Sequence, residues 1–195
     1  EELNVLTQRS VERLAGSALM GVYHDPRHNN NPPGFTVTFT EIELDKETGK
    51  IEILDMVTIA ECGTVVHPQG LANQLVGGAV WGIGLSVLER HLYDPQNGLP
   101  ASSGYWQSKI PTYLDTPAEI GTGWVDLPDP ENPVGARGIG EPSMGAVSAA
   151  LNAAISDALD GHLFNAAPVT TDMIINHIAG VSEDAVPLAQ NNFRG

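Results

Sequence analysis

Asn132-Pro-Val-Gly-Ala-Arg-Gly-Ile-Gly-Glu-Pro-Ser143 runs without a break into Met144-Gly-Ala-Val-Ser-Ala-Ala-Leu-Asn-Ala-Ala-Ile-Ser-Asp-Ala-Leu159, and this join of a glycine loop to a helix organises the chain. Gly135, Gly138 and Gly140 let the backbone turn sharply or approach another group closely. They deliver one carboxylate, Glu141, directly before a proline suited to a first helical turn. Met144, Val147, Leu151, Ala154, Ile155 and Ala158 then recur at helical spacing, which predicts a helix over 143–159 with one docking stripe and with Ser156 and Asp157 facing away. Gly161 supplies its stop. Glu141 has two readings at this point. It is a helix cap favoured by the N-terminal dipole, or it is a general base, which needs partial desolvation against the pull of that dipole.

Upstream, Phe35 to Leu44 reads as a strand whose apolar residues change phase: Phe35, Val37 and Phe39 are odd, Ile42 and Leu44 even, which predicts a bulge or twist near Thr40-Glu41. Asp45-Lys-Glu-Thr-Gly-Lys50 makes a turn and Ile51 to Ala60 returns as the second strand of a hairpin. A further strand is predicted over 119–127, and a short helix over 170–179 capped by Thr170 or Thr171. Before the hairpin, the sequence suggests a helix over 1–14, a short strand over 19–23 and a loop over 24–34. His24, Asp25 and His28 in that loop are better read as solvated side chains than as metal ligands, because no further ligands are spaced around them. The organisation is α+β, a strand-rich layer from 19 to 127 with packed helices, forming one domain over 1–180 and a surface tail over 181–195.

From Gln69 to Leu88 the pattern is helical, yet Gly77, Gly78, Gly82 and Gly84 lie within it. At about 0.8–1 kcal/mol each relative to Ala, these glycines require an offset, either another helix or a cofactor lying against bare backbone. Gln74, on an otherwise apolar Gly, Ala, Val and Leu surface, needs a polar partner if buried and none if it faces solvent. Cys62 and His67 form no convincing nucleophile or ligand pair, and a small residue filling the strand-to-helix corner is the better reading of Cys62. Arg137 pairs either with a negative charge on a cofactor or with a neighbouring carboxylate.

Composition removes several classes of function. Acidic residues outnumber basic ones 24 to 9, a net charge of −15, so the chain repels phosphate backbones and no nucleic acid partner is expected. No apolar run approaches the roughly 20 residues that cross a bilayer, and no signal peptide is visible, so a cytoplasmic chain is expected. The single cysteine excludes an internal disulfide and an all-cysteine cluster within these 195 residues. The start at Glu1 without an initiator Met fits a processed chain, a truncated one, or a piece of something longer.

The run Gly-Ala-Arg-Gly-Ile-Gly-Glu-Pro142, taken with His67-Pro68 and Asn73-Gln-Leu-Val-Gly-Gly-Ala-Val-Trp-Gly-Ile-Gly-Leu85, resembles the molybdenum-binding subunit of the xanthine dehydrogenase and aldehyde oxidase family. The likeness extends over about Glu1 to Gly180 and matches the C-terminal half of that subunit's molybdopterin-binding domain. Gly104-Tyr-Trp-Gln-Ser-Lys-Ile-Pro111 resembles a further family segment of structural role. The resemblance implies that Glu141 is the catalytic base and that Gln74, Arg137, Gly138 and Gly140 bind the cofactor. That cofactor is molybdopterin or its cytosine dinucleotide, with molybdenum held through the pterin dithiolene rather than by protein side chains.

The implied reaction is oxidative hydroxylation of an N-heterocycle, xanthine-like, or of an aldehyde, with water as the oxygen source. Partner chains are implied for the rest of the molybdopterin domain, for 2Fe-2S clusters and for FAD. Purine, other N-heterocycle, aldehyde and carbon monoxide all stay open as substrates. The alternative is a structural or assembly subunit that keeps the fold without the chemistry. It would show Glu141 engaged as a helix cap and Gln74 facing solvent, whereas the hydroxylase reading expects Glu141, Gln74 and the 138–140 backbone on one concave surface.

Overall fold

The computed structural model of the chain describes residues 34–131 and 133–181, and these belong to one compact unit. The helix, strand and His24-Asp25-His28 loop expected before Gly34, and the tail beyond Val181, lie outside the described residues.

β1 (Phe35–Leu44) and β2 (Ile51–Glu61) form the expected antiparallel hairpin. Its turn is tied by Asp45, whose carboxylate accepts from Glu47 N at 2.8 Å and from Thr48 Oγ1 at 2.7 Å. The irregularity falls beside Glu41/Ile42, but the extra residue is Leu54 in β2. β1 therefore keeps its alternation throughout, and its apolar residues divide between two faces. Ile42 and Leu44 join Met56, Ile53 and Ile51 on the core side, while Phe35, Val37 and Phe39 point the other way and stay exposed. On the core side Thr38 and Thr58 share a buried hydroxyl–hydroxyl hydrogen bond of 3.0 Å.

β3 (Gly121–Val125) lies parallel to β2, giving a mixed sheet in the order β1-β2-β3. Between β2 and β3 the chain runs through α1 (Pro68–Ile83), which continues as a single π-helical turn, Gly84–Leu88, and then through the short α2 (Tyr105–Ser108). α3 (Pro142–Ala158) and α4 (Thr171–Ile178) follow. The π-turn is held by Ser86, whose buried hydroxyl donates to Gly82 O. Thr170 precedes α4 as expected, but its side chain makes no cap hydrogen bond.

The helix Pro68–Leu88 is, by length and composition, able to cross a membrane, contrary to the expectation that no apolar run is long enough. It serves here as a core element: Leu71, Leu75, Ala79 and Ile83 are buried along one side. On α3, Val147, Leu151 and Ile155 form the buried stripe, each contributing about 1.5–3 kcal/mol by leaving water. Ser156, expected to face away, is buried as well.

α1 and α3 meet through two of the four glycines. A Cβ at Gly78 would overlap Ser143 Oγ, and a Cβ at Gly82 would lie 2.6 Å from Val147 Cβ and 2.7 Å from Met144 O. Both helix backbones are therefore drawn together, and the cost of an interior glycine is offset by helix contact at these positions. Gly77 has no such reason, for a Cβ there meets nothing within 4 Å. Replacement of Gly82 by Ala is expected to destabilise the fold by about 1–3 kcal/mol through overpacking. Gly77→Ala, which adds a methyl to open space in a helix interior, should leave stability unchanged or raise it by up to about 1 kcal/mol. Thermal melts of the two variants check the contrast.

Candidate functional site

The glycine loop is stitched to the end of β2 by backbone hydrogen bonds. Arg137 N donates to Cys62 O at 2.6 Å and Thr64 N to Gly135 O at 2.7 Å, and within the loop Asp129 N donates to the same carbonyl at 2.9 Å. Gly63 and Gly135 both have φ of +75°, and a Cβ on Gly63 would sit 2.0 Å from Gly135 O, so only glycine fits this crossing.

Arg137 fixes the loop from its side-chain end. Its Nε donates to Asp129 Oδ2 at 2.9 Å and its NH1 to Glu61 Oε2, with Asp129 almost fully buried. The guanidinium is held protonated chiefly by the hydrogen bond to Asp129, with Glu61 acting in the same sense against partial desolvation. Of the two sequence readings of Arg137, the structure displays the pairing with neighbouring carboxylates. Sequence reasoning missed both partners. Glu61 stood out only as the acidic residue at the end of β2, and Asp129 as one of several polar residues in a proline-rich loop.

Four residues beyond Arg137, Glu141 occupies the N-cap position of α3 with φ −111° and ψ −22°. Its backbone carbonyl accepts from Met144 N at 3.0 Å, whereas its side chain makes no cap hydrogen bond and is exposed. The carboxylate is thus not engaged as a helix cap. Gln74 on α1 is exposed too, and its Oε1 lies 3.9 Å from where a Cβ on Gly140 would stand. Gly138 and Gly140 are exposed, and neither Gly138 nor Gly77, one turn along from Gln74, has anything within 4 Å of a Cβ position.

Gln74 and the Gly138–Glu141 segment therefore share one exposed edge beside the α1–α3 contact, with stretches of bare backbone. A flat polar ligand could approach peptide N–H groups directly along such an edge, with the Gln74 amide as a donor–acceptor pair. Two grooves lie elsewhere: one of about 510 Å³ along Tyr105, Trp106 and Lys109–Thr112, and one of about 400 Å³ between Lys50–Leu54 and Leu114–Ala118, neither lined by Glu141 or Gln74.

Cys62 packs with Ala60, Leu71 and Leu75 at the corner between β2 and α1. Burial pushes its thiol up, and the charges of Glu61 and Asp126 push the same way, only partly offset by Arg137. Thiolate is disfavoured there, so Cys62 fills space. His67 stands exposed at the N-cap position of α1 without a side-chain cap hydrogen bond.

With this geometry in hand, comparison with known proteins is specific. A family model described as molybdopterin cofactor-binding domain matches residues 8–117. The gamma subunit of the 6-hydroxypseudooxynicotine dehydrogenase complex of Paenarthrobacter nicotinovorans is 34% identical over 84% of this chain and 21% of its own length. A putative xanthine dehydrogenase molybdenum-binding subunit of Escherichia coli is 28% identical over 77% of this chain and 20% of its own. Among solved structures, quinoline 2-oxidoreductase from Pseudomonas putida 86 superposes with a TM-score of 0.67 at 31% identity, over 72% of this chain and 18% of that one. The chain spans about a fifth of the length of the curated relatives it matches.

Two outcomes follow from the site's own chemistry. Cys62 in the folded chain should resist a thiol reagent at pH 8 and react fully once denatured, as read by absorbance of the released chromophore. Arg137→Met removes the guanidinium that bridges Asp129 and Glu61 and should lower the melting temperature by several degrees; Arg137→Lys should recover only part of that, because an ammonium cannot span both carboxylates as the planar fork does.

Proposed function

Because the chain belongs to the molybdopterin cofactor-binding family of the molybdenum hydroxylases, which includes xanthine dehydrogenases, aldehyde oxidases and carbon monoxide dehydrogenases, we propose that it forms one wall of a hydroxylase site with Glu141 as general base. The observation that carries this reading is the Glu141 carboxylate itself. It is carried by a loop hydrogen-bonded to the end of β2, is left out of the helix cap, and follows Gly138 and Gly140, which with Gln74 and Gly77 offer an amide and uncovered backbone.

The pterin would be held by the Gln74 amide and by peptide groups at Gly138 and Gly140. When bound, molybdopterin supplies the redox chemistry of an oxidative hydroxylation that takes its oxygen from water. Glu141 Oε accepts the proton that the hydroxyl nucleophile loses as it attacks an electron-poor carbon. Arg137 acts at one remove: through Asp129 and Glu61 it fixes the loop that carries Glu141, and a misplacement of about 1 Å at such a base can cost on the order of 10²-fold in rate. The substrate class we favour is an N-heterocycle, supported by the quinoline enzyme at 31% identity, ahead of an aldehyde. Iron–sulfur and flavin groups on partner chains would take the electrons; the names of relatives as a complex's gamma subunit and as a molybdenum-binding subunit support the presence of partner chains.

A non-catalytic assembly role is the second reading, and one observation favours it: Gln74 faces solvent in this chain. Metal content separates the two. In the complex purified through this chain, wild type and Glu141→Gln should both contain molybdenum by elemental analysis, while the variant loses about 10²–10⁴-fold in dye-linked oxidation of N-heterocycles. A molybdenum-free wild-type complex would overturn the hydroxylase reading. Gly77→Ala provides a readout independent of turnover, since it should reduce molybdenum content while leaving the melting temperature unchanged or higher.

A further inference from the structure

Away from the candidate site, two histidines are stacked on one another. His162 lies just beyond the turn that ends α3, and His177 stands in the last turn of α4. Their rings are 3.6 Å apart between centroids and inclined by only 17°. Phe164 packs edge-on against His162 at 4.6 Å, and both imidazoles are half-buried. The segment they bracket is held in its middle: Val169 N donates to Ser86 O of the π-turn at 2.7 Å, and Val169 and Ile174 are buried with Ile155 and Leu159. The stack therefore joins the two ends of a segment that is otherwise fixed only at its centre and at the buried side of α4.

Stacking at this distance suits one charge and not two. A single proton is accommodated, because the C-terminal end of α4 favours a cation at His177. A second proton sets like charges on rings only 3.6 Å apart. The charged groups on the neighbouring elements are Asp157 and Asp160 at the end of α3, Glu89 beyond the π-turn, and Asp172 in the first turn of α4 with Arg90 as its counter-charge. Asp45 and Lys50 belong to the hairpin turn, whose Gly49 lies against Thr171 and Ile175. Among the described residues none of these forms a hydrogen bond or ion pair with either imidazole. We propose that the His162–His177 stack is a pH-sensitive clasp, closed while at most one ring is charged and opened by the second proton, which loosens the C-terminal turn of α4 from the end of α3. With the rings apart, the open segment takes up that proton more readily than the closed one. The clasp's contribution is therefore present when the rings are neutral and is lost as pH falls through the range, about pH 8 to 5, in which histidine changes charge.

The test is amide hydrogen exchange on the complex purified through this chain, read by mass spectrometry and corrected for the intrinsic pH dependence of exchange. Protection over residues 175–181 should fall at least about tenfold between pH 8 and pH 5, while protection over β2 holds. His162→Phe keeps an aromatic ring against His177 that cannot take a proton, and His177→Phe does the same from the other side. In both variants protection over 175–181 should be equal at the two pH values; if one variant does not assemble, the other decides. Three outcomes each overturn the proposal: wild-type protection that does not change with pH, a fall shared by β2, which reports global unfolding, and a fall that persists in an assembled phenylalanine variant.

Discussion

The approach of α1 to α3 across Gly78 and Gly82 brings the start of α3, with Glu141 at its N-cap position, beside the helix that carries Gln74. Two helices packed through Leu-sized side chains stand about 8–10 Å apart. Here Ser143 Oγ and the Met144 carbonyl stand where side chains of α1 would otherwise be, so α3 begins close beside α1. Gln74 therefore lies beside Gly140, the residue before Glu141. The contact has a cost: Ser143 Oγ is fully buried and has no hydrogen-bond partner. An unsatisfied hydroxyl of this kind costs about 1–3 kcal/mol, which the burial of Leu75, Ile83, Val147 and Leu151 around it can offset.

A second constraint orients the loop entering α3. Backbone bonds between Thr64 and Gly135 and between Arg137 and Cys62 bind it to the end of β2, the bond from Asp129 N to Gly135 O closes the loop on itself, and the Arg137 guanidinium adds one tie of each kind through Glu61 and Asp129. The result is a carboxylate carried on a short, over-determined support. Rigidity of the supporting shell is what a base needs, because proton transfer depends on sub-ångström placement. The groups that would meet a ligand are, by contrast, open: bare backbone at Gly77 and Gly138, and one amide on Gln74.

The two exposed surfaces have one explanation. A sheet with apolar residues on both faces and an exposed Glu141 carboxylate are both what part of a larger fold displays. The match to only about a fifth of each relative's length is in keeping with that.

Much of the architecture was legible in the sequence because it is local. Alternation over 35–44 and 51–60 gave the hairpin, period 3.6 over 143–159 gave α3, and the glycines of 77–84 announced that something must lie against that helix. The Gly-Glu-Pro and Gln-x-x-Gly-Gly runs pointed to the family because their spacing is itself a local property. Where the pattern was ambiguous, long-range contacts decided. The bulge went to Leu54 rather than to β1 because register is a property of two strands, and the buried side of Ser156 depended on what α3 packs against. Periodicity thus determined which elements form, and the short motifs determined which family the chain resembles. Only the tertiary structure could decide that Arg137 serves Glu61 and Asp129, that Gly78 and Gly82 face a helix while Gly77 faces open space, and that Glu141 is left free of its cap, because each of these is fixed by residues distant in sequence meeting in space.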